Sequence, residues 1–285
     1  MTEPAPSPAS PLAERLGHQP GAAVLVITAD DLGTCHAATA GSYDALRRGL
    51  ASSGGLTVPC PWARAAAGGY RGEDVGVHLM VNAELDAVRW GPITHAPSLL
   101  DGDGGFPRTV EDLWDHADVD EVRREVRAQL ERAVLWGFDI THLSVHVDAL
   151  LLRPEFFDVI LEVAVDERLP LRLPPDHRLA GLGFPLRQLC AEERVVVPDR
   201  VLRSRPGRPP RVLLERFLME PPPGVTELVV RPALDTPELR AMDPHWSERG
   251  DDHDLVTTDA AVAGLLARAG VVVTGYRALR EAMRT

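Results

Sequence analysis

Two adjacent aspartates, Asp30 and Asp31, stand in the string TADDLG, directly after an apolar run that predicts a buried strand. Neighbouring carboxylates at the mouth of a strand repel each other and lose solvation, which a bound cation would offset. Aspartate is also a good helix N-cap, so the same pair could simply begin the next helix. The local sequence leaves both interpretations open.

Histidines occur at two further strand ends. His78 lies inside the apolar string VGVHLMV, and the string THLSVHVD places His142 and His146 on one strand face, because alternate residues share a face. Alternatively, His78 could be an ordinary core histidine, and the string with His142 and His146 could be a polar strand end at the surface. The carboxyl ends of parallel strands form active sites in α/β folds. There, one Asp and two His would make a facial set of metal ligands.

Such a ligand set leaves coordination positions open for water and substrate, which favours a metal-dependent hydrolase. Two imidazoles with one carboxylate suit Zn, Fe, Mn, Co or Ni, and Mg less naturally. The sequence therefore predicts a divalent metal as cofactor and leaves its identity open.

The elements that would position these residues alternate between strands and helices. This alternation predicts an α/β fold with a mainly parallel sheet, either a barrel or a doubly wound sheet. In the clearest helix, Asp118 is the predicted N-cap and Gly137 the residue that ends it. Strands are predicted at Ala22–Thr28, Leu56–Pro59, Val75–Val81, Ile140–His146, Leu169–Leu173, Glu227–Arg231 and Val271–Thr274, and helices at His36–Leu50, Val119–Trp136 and from Pro154.

The length of 285 residues suits one large α/β domain, and no internal linker stands out. Residues 1–20 are rich in Pro, Ala and Ser and contain no apolar stretch long enough to insert into a membrane. We expect them to be a flexible N-terminal lead-in, followed by the domain at residues 21–285.

Composition excludes several classes of function. A net charge of −12 disfavours nonspecific binding to nucleic acid or anionic membrane. All 30 basic residues are Arg, and the missing lysine excludes Schiff-base chemistry and Walker-type phosphate binding. Cys35, Cys60 and Cys190 are widely separated, so reduced thiols in a cytoplasmic protein are expected.

Three strings, in order and at similar spacing, resemble motifs of the YdjC-like carbohydrate deacetylases, also called the ChbG/HpnK family. TADDLG resembles the family's N-A-D-D-F-G, GVHL resembles G-[LM]-H-[LF], and THLSVHVD resembles T-H-L-D-S-H-x-H. The string TELVVRPALDTPELRA is similar to a late strand that ends in His-Pro in the family. The resemblance extends from about Ala22 to the C-terminus.

The resemblance implies a distorted (β/α) TIM-like barrel that removes N-acetyl groups from amino sugars with the help of a divalent metal. Carried over by motif position, Asp31, His78 and His146 would be the metal ligands and Asp30 the general base. The substrate would be a small molecule, an acetylated amino sugar or a related metabolite.

The departures from the family motifs concern other site positions. Ser144 and Val145 replace Asp and Ser, Asp148 replaces the last His, and Arg231 stands where the late strand would carry His. Arginine does not act as an acid near neutral pH, but it can hold a carboxylate, a phosphate or an oxyanion. The proton donor is therefore open, with His142 and Asp148 as candidates.

Two other functions follow from these departures. The metal could assist a lyase or isomerase on a carboxylate- or phosphate-bearing substrate gripped by Arg231. Alternatively, the chain could be an inactive barrel that only binds sugar. The sequence does not determine the oligomeric state, for which a homodimer is the candidate assembly.

Overall fold

A computed structural model of the chain describes residues 11–204 and 208–285. Its strands are β1 (Ala23–Leu32), β2 (Ser53–Leu56), β3 (Val75–Leu79), β4 (Ile140–Val145), β5 (Arg200–Arg203), β6 (Gly224–Val230) and β7 (Val272–Val273). They form one sheet in the order β4-β3-β2-β1-β6-β5, with β7 also paired to β1. Every strand pair is parallel.

Irregular segments extend the sheet into a distorted barrel. Beyond β4, Leu171 bridges to Leu143, and its amide donates to the carbonyl of Val196, 3.0 Å away, on the segment that leads into β5. Strand β7 pairs with the first part of β1, whereas β2 pairs with its last part. The predicted single-domain α/β barrel is therefore confirmed, and the doubly wound alternative is not what the chain forms.

Helices connect the strands. Those of the described residues are α1 (Pro11–Arg15), α2 (His36–Arg48), α3 (Ala63–Gly69), α4 (Val110–His116), α5 (Val119–Leu135), α6 (Pro154–Asp166), α7 (Asp176–Leu179), α8 (Leu186–Glu192), α9 (Pro210–Met219), α10 (Pro237–Met242), α11 (Trp246–Thr257), α12 (Ala260–Arg268) and α13 (Tyr276–Arg284). Short 3-10 turns lie at Pro97–Leu99 and His146–Asp148. None of these helices is long and apolar enough to cross a membrane.

Helix α5 begins and ends as its sequence predicts. The Asp118 side chain accepts hydrogen bonds from the amides of Asp120 and Glu121, which satisfies two otherwise unpaired donors of the first turn. Gly137 has a φ of 93°, the left-handed conformation that glycine adopts without steric cost.

Two predicted strands need correction. Strand β2 lies at Ser53–Leu56, before the predicted Leu56–Pro59, because the barrel requires small residues here: a Cβ on Gly55 would lie 2.6 Å from an Asp30 carboxylate oxygen. Hydrophobicity alone does not reveal such close approach. The predicted strand Leu169–Leu173 has one bridge, at Leu171, and no continuous ladder.

The largest apolar cluster is formed by β3, β4, α5, α6 and the loop between β3 and α4, and it supports the strands that carry His78 and His146. In a separate, smaller cluster, Leu12 and Ala13 of α1 are buried beside Val24 and Tyr276. Residues 1–10 of the predicted lead-in lie outside the described residues, and the predicted domain boundary at residue 21 stays a prediction.

Candidate active site

Asp30 and Asp31 lie near the carboxyl end of β1, where the pairing with β2 changes register between Ala29 and Leu32. Asp31 has a φ of 69°, a left-handed conformation that is uncommon for residues other than glycine. Strain of this kind is found at functional sites, where the surrounding structure holds a side chain in a required direction. Both aspartates line the same cavity, although consecutive residues of a regular strand face opposite sides.

The Asp31 carboxylate forms a cluster with His78 of β3 and with His146, which begins the 3-10 turn after β4. One ligand atom from each side chain lies within 4.8 Å of the other two, and all three residues are buried. The structure thus brings together the three residues predicted as metal ligands.

Each imidazole has one nitrogen engaged by a neighbour and one directed into the cluster. His78 Nδ1 lies 2.8 Å from Ser144 Oγ, and His146 Nε2 lies 3.0 Å from both carboxylate oxygens of Glu84. The other nitrogens, His78 Nε2 and His146 Nδ1, are 3.4 Å apart. Two nitrogens bound tetrahedrally to zinc at about 2.05 Å would also be roughly 3.4 Å apart. The donor set and its spacing therefore fit a divalent metal.

The two histidines differ in their protonation. Burial, reinforced by the charge of Arg172, lowers the pKa of His78 well below its ordinary value, so this ring is neutral. Burial opposes protonation of His146 as well, but the Glu84 carboxylate outweighs it and raises the pKa of His146. A neutral imidazole facing a carboxylate-backed imidazole favours a cation between them, whether a proton or a metal ion.

Asp30 forms a buried salt bridge with Arg172 through two hydrogen bonds of 2.7 and 2.8 Å. Arg172 also lies 3.6 Å from Glu227, which accepts a hydrogen bond of 2.6 Å from the Tyr276 hydroxyl. Burial raises the pKa of Asp30 overall, although Arg172 acts in the opposite direction. The geometry fixes the orientation of Asp30, and the raised pKa makes its carboxylate a better proton acceptor.

Asp31 is paired with Arg249 of α11, whose Nε lies 2.7 Å from Asp243. Burial alone would raise the pKa of Asp31, but Arg249 and then Arg231 outweigh it and hold this pKa well below its usual range. Asp31 is therefore ionised, as a carboxylate ligand must be.

These side chains surround a cavity of about 200 Å³. Arg203 is held there by Asp148, whose two carboxylate oxygens each lie 2.9 Å from one guanidinium nitrogen. Arg231 is anchored through its backbone amide, which donates to Asp252 over 2.8 Å. Two arginines therefore contribute positive charge to the cavity. Its lining consists of Asp30, Asp31, His78, His146, Val147, Arg203, Ser204, Val229 and Arg231.

The two candidate proton donors lie elsewhere. His142 is fully buried, its ring is stacked on Tyr276 with centroids 3.8 Å apart, and it is not part of the cavity lining. Asp148 is also outside the lining and accepts hydrogen bonds from Arg178 and Arg203. The structure thus separates His142 from the other predicted site residues, and its catalytic role stays a prediction.

Sequence patterns did not single out four charged residues that contact the site: Glu84, Arg172, Arg203 and Arg249. Arg172 had a detectable signal, because a single cation inside the apolar string LRL, at the end of a predicted strand, is unusual for a buried position. Glu84, Arg203 and Arg249 lie in stretches without a clear strand or helix pattern, where nothing distinguishes them from surface residues.

Comparison with known proteins extends the resemblance of the motifs to most of the chain. The profile of the YdjC-like protein family matches residues 24–267. A protein named carbohydrate deacetylase from Thermus thermophilus is 39% identical over 278 residues, which cover 95% of this chain and 99% of that relative. A chitooligosaccharide deacetylase from Yersinia pestis is 29% identical over 57% of this chain and 64% of its own length.

Among solved structures, an Enterococcus faecalis V583 protein shares the fold. It superposes with a TM-score of 0.77 at 22% sequence identity and covers 90% of this chain and 99% of its own. The family profile and the full-length relative agree with each other. This chain belongs to the YdjC-like family.

Proposed function

We propose that this protein is a metal-dependent carbohydrate deacetylase, which hydrolyses the acetamido group of an amino sugar or a related small N-acyl metabolite. The observation that carries the proposal is the buried cluster of Asp31, His78 and His146 beside Asp30 in one cavity. The names of the relatives from Thermus thermophilus and Yersinia pestis support the same reaction on sugars.

Asp31, His78 and His146 would hold the metal. A bound divalent metal lowers the pKa of water and polarises a carbonyl oxygen, which is the chemistry that amide hydrolysis needs at neutral pH. His78 and His146 offer the nitrogens that are not engaged by Ser144 and Glu84. Zn, Mn, Co and Ni suit this donor set, and Mg less naturally.

Asp30 would act as the general base. Its carboxylate lies in the cavity and is held by Arg172 in a fixed orientation, so it can take the proton of the attacking water. Water adds to the acetyl carbon, the C–N bond breaks, and the products are acetate and a free amine. Apart from the three proposed ligands, Asp30 is the one carboxylate or imidazole that the described residues contribute to the lining, so we assign it the return of the proton to the leaving amine as well.

Arg203 and Arg231 would stabilise negative charge in the cavity. A guanidinium can hold the developing oxyanion or a permanent anionic group of the substrate. The same two arginines are the one specific observation that favours a lyase or isomerase, because such an enzyme could use them to bind a carboxylate or phosphate of its substrate.

The test is acetate release from a panel of N-acetylated sugars by metal-stripped protein, with Zn, Co, Mn, Ni and Mg restored one at a time. We expect release that requires a metal and that falls roughly 10²- to 10⁴-fold in Asp30→Asn, the range for a lost general base. Asp30→Asn should still bind the metal, because Asp30 is outside the predicted ligand set.

Two results would contradict the proposal. Metal binding without acetate release from any substrate would remove the deacetylase assignment. A rearranged carbon skeleton among the products, with no free amine, would favour the lyase or isomerase instead.

A further inference from the structure

Glu84 contacts the predicted metal centre from outside the cavity. Both of its carboxylate oxygens lie 3.0 Å from His146 Nε2, whereas His146 Nδ1 faces His78 across 3.4 Å. Glu84 itself is absent from the cavity lining. Its side chain therefore reaches the site through His146 alone among the three predicted ligands.

This contact determines which nitrogen of His146 carries a proton. An ionised carboxylate only accepts hydrogen bonds, so Nε2 must be the donor. Whenever the ring is neutral, Nδ1 then has a free lone pair, and Nδ1 is the nitrogen that faces the cluster. A carboxylate behind an imidazole also makes the ring a stronger ligand.

The partner of His78 does not impose the same restriction. Ser144 Oγ, 2.8 Å from His78 Nδ1, can either donate or accept a hydrogen bond. Serine also has no charge with which to strengthen the imidazole. Of the two histidines, His146 is consequently the one whose tautomer is set by its neighbour.

Glu84 is presented by a firmly held segment. Gln129 of α5 accepts from the Met80 amide and donates to the Met80 carbonyl, over 3.1 and 2.8 Å. Asn82 donates to the carbonyls of Pro107 and Thr109 and accepts at its own carbonyl from the Trp90 indole. These contacts hold the backbone that leads from β3 to Glu84, so that its side chain, 42% exposed, is placed next to His146.

We propose that Glu84 is a positioning residue that fixes the tautomer of His146 and thereby sets the affinity of the site for its divalent metal. The inference rests on the proposed function in that it assumes Asp31, His78 and His146 hold a metal. It assigns a role to a residue that touches neither the cavity nor the predicted ligand atoms.

The test measures the zinc dissociation constant of metal-stripped protein by competition with a chelator, independently of any activity. We expect Glu84→Ala to weaken zinc binding roughly 10- to 100-fold, as for other carboxylates behind a ligating histidine. Glu84→Gln should lose less zinc affinity, because its amide oxygen can still accept a hydrogen bond from His146 Nε2. The control is Asp86→Asn in the same loop, whose exposed carboxylate pairs with Arg108 and which should bind zinc like the wild type.

The melting temperatures of the metal-free variants show whether each one is folded. Folded Glu84→Ala that binds zinc as tightly as the wild type would overturn the role of Glu84 and leave the proposed function untouched. Equal weakening by Glu84→Gln, Glu84→Ala and Asp86→Asn would also overturn it, because the effect would then be one of net charge. Wild-type protein that binds zinc but releases no acetate would contradict the deacetylase proposal alone.

Discussion

Arg172 connects two buried carboxylates, those of Asp30 and Glu227, and its side chain is 1% exposed. Removing one member of a buried ion pair leaves the other charge without compensation, which costs more than the pair itself contributes. We therefore expect Arg172→Met to lower the free energy of unfolding by about 3–5 kcal/mol. Urea unfolding of the metal-free protein measures this loss.

Arg172→Lys separates the effect on orientation from the effect on stability. Lysine keeps the positive charge but not the two parallel hydrogen bonds that hold Asp30. We expect this variant to fold and to bind zinc normally, with kcat lower by roughly 10²-fold because the base is misplaced. An unchanged kcat would show that orientation by Arg172 is not needed.

Arg231 allows a test of substrate charge. If its guanidinium holds an anionic group of the substrate, Arg231→Gln should lower kcat/KM for a phosphorylated or carboxylated N-acetyl sugar by roughly 10- to 100-fold, the value of one charged hydrogen bond. A neutral N-acetyl sugar should be affected much less. Arg240→Gln is the matched control, since Arg240 pairs with Asp235 away from the cavity. Equal losses on both substrates would assign Arg231 to the oxyanion instead.

The sequence indicated the clustered residues that lie near strand ends but not those that contact them from elsewhere. Asp31, His78 and His146 could be grouped because each lies at or near the end of a predicted strand, and parallel strands converge at their carboxyl ends. The pairing of Glu84 with His146, 62 residues away, depends on how a loop folds back over the barrel. Nothing in local periodicity encodes such a contact.

Strands β3 and β4 approach each other closely at Gly76. A Cβ at this position would lie 2.4 Å from both the Nδ1 and the carbonyl oxygen of His142. Since the neighbouring backbone cannot give way as a flexible side chain would, we expect Gly76→Ala to destabilise the protein by about 1–3 kcal/mol. Thermal and urea unfolding of the wild type and of Gly76→Ala would measure this difference in the free energy of unfolding.

Gly68→Ala in α3 is the control for that substitution. A Cβ on Gly68 meets no atom within 4 Å, and alanine is the better helix former. This variant should be more stable than the wild type by about 0.5–1 kcal/mol. If both substitutions changed the free energy of unfolding in the same direction, close packing between β3 and β4 would not explain the Gly76 result.

At the level of elements, predictions were most accurate where capping and periodicity agree. Helix α5 was predicted to within one residue, because Asp118, Gly137 and the apolar positions all indicate the same helix. The helical spacing of apolar residues predicts one buried stripe, formed by Val119, Val122, Val126, Leu130 and Val134. This prediction is wrong at the end of the helix, since Val134 is 57% exposed and Ala133 is buried instead. Successive steps of four residues turn the stripe away from the core, because an α-helix repeats every 3.6 residues.

For the whole molecule, alternating strands and helices predicted a parallel α/β sheet but did not decide between a barrel and a doubly wound sheet. Closure of the barrel depends on irregular contacts, such as the single bridge between Leu143 and Leu171 and the short pairing of β7 with β1. Segments without a ladder leave little periodicity in the sequence. The family resemblance supplied the barrel before the structure confirmed it.

Asp252 on α11 links the stability of the whole barrel to pH. It is 7% exposed and accepts a hydrogen bond from the backbone amide of Arg231, the residue that follows β6. Burial raises the pKa of Asp252 to about 6, although this hydrogen bond and the charges of Arg231 and Arg249 act in the opposite direction. The native protein therefore retains a proton that an unfolded chain, with a pKa of 3.8, releases.

Because the native state binds more protons than the unfolded state between these two pKa values, Asp252 makes the free energy of unfolding fall as the pH rises from 3.8 to about 6. The full difference corresponds to about 3 kcal/mol.

Asp252→Asn keeps a hydrogen-bond acceptor but does not titrate, so its stability relative to the wild type should rise over this window and stay constant above it. Urea unfolding of both proteins at several pH values measures the difference. In Asp235→Asn the relative stability should instead fall as the pH rises, and only below about pH 3.8, because Arg240 lowers the pKa of the exposed Asp235 from its ordinary value of 3.8. Parallel pH profiles for wild type and Asp252→Asn would mean that Asp252 is as easily ionised in the native protein as in the unfolded chain.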